Sequence, residues 1–231
     1  MAQPRRSSMI VAIDGPAASG KSTVARALAR RLRFRYLDTG AMYRAVAEEA
    51  LRLGIALDDA PRLARLAHDA EISFEYDGDD PVYRRITVLG RDVTSAIRSP
   101  EVDAAVSAVA RVPEVRAAMV AEQRRCAEGV DVVVEGRDIG TVVFPDAEVK
   151  VFLTASPSER ALRRLKDRTG AGYQAELEEV VSDILRRDEA DSTREASPLV
   201  AAEDATPVDT TGLTVDEVVD VVERLVRSRR P

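Results

Sequence analysis

The sequence predicts an α/β fold, in which a mostly parallel sheet is flanked by helices and a small antiparallel sheet is inserted. Three features predict it. Short apolar runs alternate with helical periodicity along most of the chain, the pattern of strands buried on both faces between crossover helices. The first such run leads directly into a glycine-rich turn and a helix. One stretch in the middle alternates with period two instead, as a half-buried antiparallel pair does.

The elements follow in order. Met9–Ile13 reads as a strand buried on both faces, and Lys21–Leu32 carries alanine, valine and leucine at helical spacing with arginines opposite. A second strand is expected over Phe34–Leu37, then a helix from Ala41 to Leu53 that stops at Gly54. Glu71–Tyr76 and Arg84–Leu89 alternate with period two around a turn at Asp77–Pro81, and a second turn at Gly90–Asp92 leads to a short third extended segment. Helices are expected over Glu101–Ala110 and Pro113–Ala127, and buried strands over Asp131–Glu135 and Glu148–Leu153. Ser156, Pro157 and Glu159 have the spacing of a capping box with proline at the first helical position. A further helix runs over about Gln174–Glu189, a short strand over Thr206–Asp209, and Thr214 with Glu217 forms a second capping box before the last helix.

With 231 residues the chain can bury a substantial core as one domain with an insertion. Its 34 basic and 40 acidic residues leave a net charge of −6, so no nucleic-acid partner is expected. The arginines nevertheless cluster at Arg160–Arg168 and Arg186–Arg194, which points to a focused anion site. Cys126 is the single cysteine, which excludes an internal disulfide and a cysteine metal site; it and the single histidine, His68, read as structural residues on helices. No run of 18 apolar residues is present and no signal core follows Arg5 and Arg6, so a cytoplasmic protein without a membrane partner is expected.

Gly15–Ser22 (GPAASGKS) matches G-x-x-x-x-G-K-[ST] in full. Glycines let successive backbone N–H groups turn toward an anion, and the following helix adds its positive end. Gly15, Pro16, Ala17, Ala18, Ser19, Gly20, Lys21, Ser22 and Thr23 are therefore expected to hold ATP. Lys21 would reach the β- and γ-phosphates, and Ser22 would offer its hydroxyl to Mg²⁺ as the metal ligand. This P-loop places the donor but does not name the acceptor. The N-K-x-D motif of GTPases is absent, and the length is that of a small-molecule kinase.

Ile13–Thr23 (IDGPAASGKST), Leu37–Arg44 (LDTGAMYR), Glu135–Pro145 (EGRDIGTVVFP) and Arg187–Arg194 (RDEADSTR) occur in that order. Together they resemble the bacterial cytidylate kinase family, over Met9 to about Glu223. The resemblance implies a P-loop core over residues 9–68 and 109–231, a helical lid over about 156–194, and a nucleoside-monophosphate unit over 69–108 containing the antiparallel sheet; residues 1–8 are expected to be disordered. It implies transfer of the γ-phosphate of ATP to CMP or dCMP by a monomer.

By the same resemblance Arg44, Arg137 and Arg194 would bind the acceptor phosphate, for which the arginine fork is well suited. Ser107, Arg116 and Asp138 would read cytosine; Asp38, Thr39 and Tyr43 would line the pocket; Arg187 and Asp191 would meet the ribose. If Gln174–Arg194 is helical, Arg187, Asp191 and Arg194 share one face; spacing alone favours a solvated ion-pair ladder, and the resemblance reverses that preference. Arg160, Arg163, Arg164 and Arg168 form a comb leading into Thr169–Gly172, expected as a lid hinge. Lys21, Arg164 and Asp138 make up the expected catalytic set. Two other readings stay open from the residues: a kinase for another monophosphate or small metabolite, and a non-catalytic nucleotide-binding regulator.

Overall fold

The structure, a computed structural model, describes residues 8–170, 172 and 176–229. The expected disorder of residues 1–8 falls, but for Ser8, outside the described residues, as do part of the Thr169–Gly172 hinge and the start of the helix expected at Gln174. Five strands, β1 (Ile10–Asp14), β2 (Arg35–Asp38), β6 (Val132–Gly136), β7 (Val149–Thr154) and β8 (Thr206–Asp209), form one sheet in the order β2-β6-β1-β7-β8. All four pairings are parallel. Every strand therefore ends at the same edge, and the chain leaves β1 for one side of the sheet and reaches β7 on the other. The carboxyl edge beside β1 is where such sheets bind ligands.

Alternation along each strand feeds two cores. Val11 and Ile13 of β1, with Val133 and Val151, face α1 (Lys21–Leu32) and α8 (Val215–Arg229) through Val24, Leu28, Val218 and Val222. Ala12, Val132 and Val134 face the other way, onto α2 (Thr39–Arg52), α3 (Ala60–Asp69) and α5 (Pro113–Cys126). β3 (Ile72–Tyr76), β4 (Tyr83–Val88) and β5 (Arg91–Asp92) form the separate antiparallel sheet, whose Ile72, Ile86 and Val88 join that second core. α4 (Pro100–Val109) packs with it through Val102 and Val106. α6 (Pro157–Gly170) and α7 (Leu177–Thr193) pack on each other through Ala161, Val180 and Ile184.

Several local expectations need correction. The third extended segment is β5 itself, earlier than expected, because Leu89 and Gly90 both take positive φ and close a two-residue hairpin. α2 begins at Thr39, not Ala41, because the Asp38 carboxylate accepts from Ala41 N at 2.8 Å and caps it. The Ser156 box is half made: Glu159 N donates to Ser156 Oγ, but the Glu159 carboxylate turns to Arg163 while Ser156 N donates to Thr211. The Thr214–Glu217 box is complete in both directions. A π-helical turn over Ile139–Val143 has no precursor in the sequence pattern. His68 is exposed on α3 and Cys126 half-buried on α5. No helix among the described residues is long and apolar enough to cross a membrane.

Candidate active site

The loop between β1 and α1 is built by close approach. A Cβ on Gly15 would stand 2.1 Å from the Leu153 carbonyl oxygen of the neighbouring strand β7, so only glycine fits. Gly20 ends the loop at φ 93° and gives α1 no side-chain cap, which leaves the N–H groups of its first turn to an external anion. Pro16 O accepts from Lys21 Nζ at 2.7 Å, so the lysine is folded across the loop. Burial and then Arg137 push the Lys21 ammonium well below its ordinary value, against the pull of Glu135, Asp14 and Asp191. A polyphosphate bound in the loop would favour the charged ammonium.

Behind the loop stand two acids that the sequence reading left out. Asp14 closes β1 and accepts from Ile139 N and Gly140 N, each at 2.8 Å, which is what curls residues 139–143 into the π turn. Glu135 closes β6; Ser22 Oγ donates to it at 2.9 Å and Tyr36 Oη donates to its other oxygen. Both lie at strand ends, where an apolar run simply appears to stop at an acid. A serine hydroxyl backed by a carboxylate suits Mg²⁺, which keeps most of its ligands as water and phosphate oxygen. No cluster of three metal-ligating side chains is present among the described residues.

The loop is also held from outside. Arg160 of α6 donates to Ala17 O at 3.1 Å and pairs with Asp188 of α7 at 2.5 Å, while Ala17 N donates to Asp188. Arg163 reaches Ser19 O and both Thr210 Oγ1 and its carbonyl. Two arginines of the comb are therefore committed to backbone and do not project free charge; Arg168 pairs with Asp183, and Arg164 with Asp103.

The remaining predicted residues converge across the carboxyl edge. Asp38 accepts from Tyr83 Oη at 3.2 Å and pairs with Arg98 at 3.3 Å; Thr39 Oγ1 donates to Glu135 O. Arg137 Nε meets Asp191 at 2.9 Å. Arg194 lies just past α7 in extended geometry, so the expected helical face stops short of it. Its guanidinium still comes within 3.6 Å of Asp191 and 4.0 Å of Asp138, because Arg194 Nε is anchored on Ser197 O. Arg187 and Arg44 meet on Asp103 of α4, one turn before Ser107 on the same face.

Arg116 and Asp138 form a buried pair, and the Arg116 guanidinium lies 5.4 Å over the Tyr43 ring. Burial pushes the Tyr43 hydroxyl up to about 12, so it stays a hydrogen-bond donor. Around this group Arg116 Nε and Arg194 Nη2 are buried without a hydrogen bond, and the buried Gln123 amide has only the Tyr43 hydroxyl beside it. Buried polar atoms are nearly always satisfied, so this cluster has the complement of a polar ligand. A cavity of about 600 Å³ opens beside it, lined by Arg111, Pro113, Thr193 and Arg194. Sequence reasoning missed Gln123; its position seven residues after Arg116, on the same face of α5, was the available signal.

Comparison with known proteins agrees with this geometry. A sequence model of the family described as cytidylate kinase matches residues 11–228. The cytidylate kinase of Pelotomaculum thermopropionicum is 52% identical over 221 residues, covering 95% of this chain and 97% of that one. That of Mycolicibacterium paratuberculosis is 51% identical over 226 residues, covering 96% and 97%. A solved structure of an uncharacterized protein from Eubacterium ventriosum shares the fold, with a TM-score of 0.50 at 13% identity over 96% of this chain and 99% of that one. The match spans nearly the whole chain, with relatives at about half identity, and this chain belongs to the cytidylate kinase family.

Proposed function

We propose that this cleft carries out the family's reaction, transfer of the γ-phosphate of ATP to CMP or dCMP, through the residues named above. The observation that carries the assignment lies on α7, where Asp188 holds the donor loop at Ala17 and, three residues on, Asp191 pairs with Arg137, so that the loop and the proposed acceptor arginines share one helix. Gly15–Thr23 would cradle the ATP phosphates. Arg44, Arg137 and Arg194 would hold the acceptor phosphate, Arg187 and Asp191 the ribose, and Ser107, Arg116 and Asp138 the cytosine edge, with Asp38, Thr39 and Tyr43 shaping the pocket.

In this reading an ionised oxygen of the acceptor phosphate attacks the γ-phosphorus in line. The new O–P bond forms as the β–γ bridging bond breaks, and ADP leaves with the electron pair. No general base is needed, because the nucleophile is already ionised; positioning and charge neutralisation supply the acceleration. Lys21 and Arg164 would balance charge on the transferring group, Arg164 after leaving Asp103, while Asp138 fixes the acceptor. Mg²⁺, held at Ser22 with Glu135 behind it, would supply further charge neutralisation when bound with the nucleotide.

The reading further includes a lid over residues 156–194, an acceptor unit over 69–108, and a cytoplasmic monomer acting on small molecules without nucleic acid or membrane. Arg44→Ala is expected to raise KM for CMP by about tenfold or more, as loss of a charge-assisted contact should. ATP binding should stay within about twofold. An unchanged KM for CMP would remove Arg44 from the site.

A further inference from the structure

Asp103, in the first turn of α4, gathers arginines from three other helices. Its Oδ1 accepts from Arg44 Nη2 of α2 at 3.3 Å and Arg187 Nη1 of α7 at 3.0 Å, and its Oδ2 accepts from Arg164 Nη2 of α6. Arg168 Nη2 stands 4.0 Å away. Among the described residues no other acid stands within 4 Å of Arg44, Arg164 or Arg187, while Asp38 and Asp191 act on Arg44 and Arg187 from farther off. An acid in a first helical turn is ordinarily explained by the helix's own positive end; these contacts go well beyond that. Burial works against the Asp103 charge, but Arg187, Arg164 and Arg44 outweigh it and hold the carboxyl well below the usual range.

The cluster is short of negative charge even so. Arg187 is pushed down to about 10 by burial, a fall that Asp103 opposes and Arg44, Arg137 and Arg164 deepen. Its Nε is buried without a partner. Three guanidinium groups face one monoanion with two oxygens, whereas a phosphate monoester carries two charges on three terminal oxygens.

We propose that Asp103 is a resident stand-in for the acceptor phosphate: it keeps Arg44, Arg164 and Arg187 converged before substrate binds, and the incoming phosphate monoester displaces it. This rests on the reading that Arg44 binds the acceptor phosphate, and it adds Arg164 and Arg187, placed there on the transferring group and the ribose, to the groups that this phosphate meets on arrival. Asp103 then acts as a positioning residue and an internal competitor. It sets a threshold that a dianionic phosphate passes and a weaker anion does not, and it spares three half-buried cations mutual repulsion while the site is open.

Calorimetric titration with CMP and with cytidine, which lacks the phosphate, tests this. Asp103→Asn and Asp103→Ala are expected to tighten CMP binding by about tenfold, the scale of one or two charge-assisted hydrogen bonds. Cytidine binding should not change, and Asp103→Glu should return CMP affinity to the wild-type value. Asp183→Asn, which removes a nearby acid outside this contact, should leave CMP affinity within about twofold and so exclude a general charge effect. Folded D103N and D103A proteins that bind CMP no tighter than wild type would overturn the proposal, as would equal tightening in D183N. Should Arg44→Ala leave CMP affinity unchanged, the acceptor-site reading itself falls; should R44A weaken CMP while D103N fails to tighten it, only the stand-in role falls.

Discussion

Arg116 and Asp138 form an ion pair whose side chains keep only 5% and 7% of their surface exposed. The pair joins the start of α5 to the residue that follows β6 and precedes the π turn, so it links the acceptor side of the cleft to the sheet edge. A buried pair of this kind contributes little net stability, because desolvation of both ions offsets their attraction. Its arrangement, with Arg116 Nε unsatisfied and Tyr43 stacked beneath, is better understood as a recognition surface held ready.

The two ends of this pair should behave differently when changed. Asp138→Asn preserves shape and is expected to abolish most CMP turnover while ATP binding stays near wild type. Arg116→Ala leaves the buried Asp138 with only the more distant Arg194, 4.0 Å away, and should cost about 3 kcal/mol of stability in urea unfolding. Wild-type kcat/KM for CMP in D138N would remove Asp138 from the base site.

The loop glycine is a steric requirement, which makes a sharp prediction. Gly15→Ala forces a Cβ to within 2.1 Å of the Leu153 carbonyl oxygen on a strand pinned by β1 and β8, so backbone must shift. Overpacking of this kind costs about 1–3 kcal/mol, and ATP affinity should fall with it. Gly170→Ala meets nothing within 4 Å and serves as the neutral comparison. Thermal unfolding and nucleotide titration read both effects; equal behaviour of G15A and G170A would contradict the close approach.

Asp14 makes stability depend on pH in a defined direction. Burial pushes its carboxyl up to about 6 from 3.8, against the N–H groups of Gly140 and Ile139. An acid with a raised folded-state pKa keeps its proton in the folded chain after the unfolded chain has lost it. Stability therefore falls as pH rises from about 4 to about 6, by about 3 kcal/mol for a shift of this size. Asp14→Asn lacks that dependence, so urea unfolding at pH 4, 5, 6 and 7 should show wild type losing about that much relative to D14N. A pH-independent difference would contradict it.

What the sequence disclosed, and what it concealed, follows from the range of the interactions involved. The P-loop, the parallel sheet and the small antiparallel sheet rest on patterns within a few residues: G-x-x-x-x-G-K-[ST], apolar runs, period two. The Thr214–Glu217 box was legible for the same reason. The π turn at 139–143 was not, because it is shaped by Asp14, 125 residues away from Ile139. Glu135 reads as the last residue of a strand until Ser22 and Tyr36 are seen to meet it. Asp103 reads as an ordinary acid at a helix start, and only the packing of α2, α6 and α7 around it brings in its three arginines. Arg160 and Arg163 look like free lid cations in the sequence, whereas the fold spends them on the backbone of the loop.

The central claim, that the P-loop supplies a donor phosphate to an acceptor chosen by the Arg116–Asp138 side of the cleft, is tested most directly by an acceptor panel. Steady-state rates with ATP and Mg²⁺ are measured for CMP, dCMP, UMP, AMP and shikimate. CMP and dCMP should give the highest kcat/KM, with AMP and shikimate lower by about 10²-fold or more, since a site built for specific hydrogen bonds rejects ligands that leave them unmade. A preference for AMP or shikimate would contradict the account.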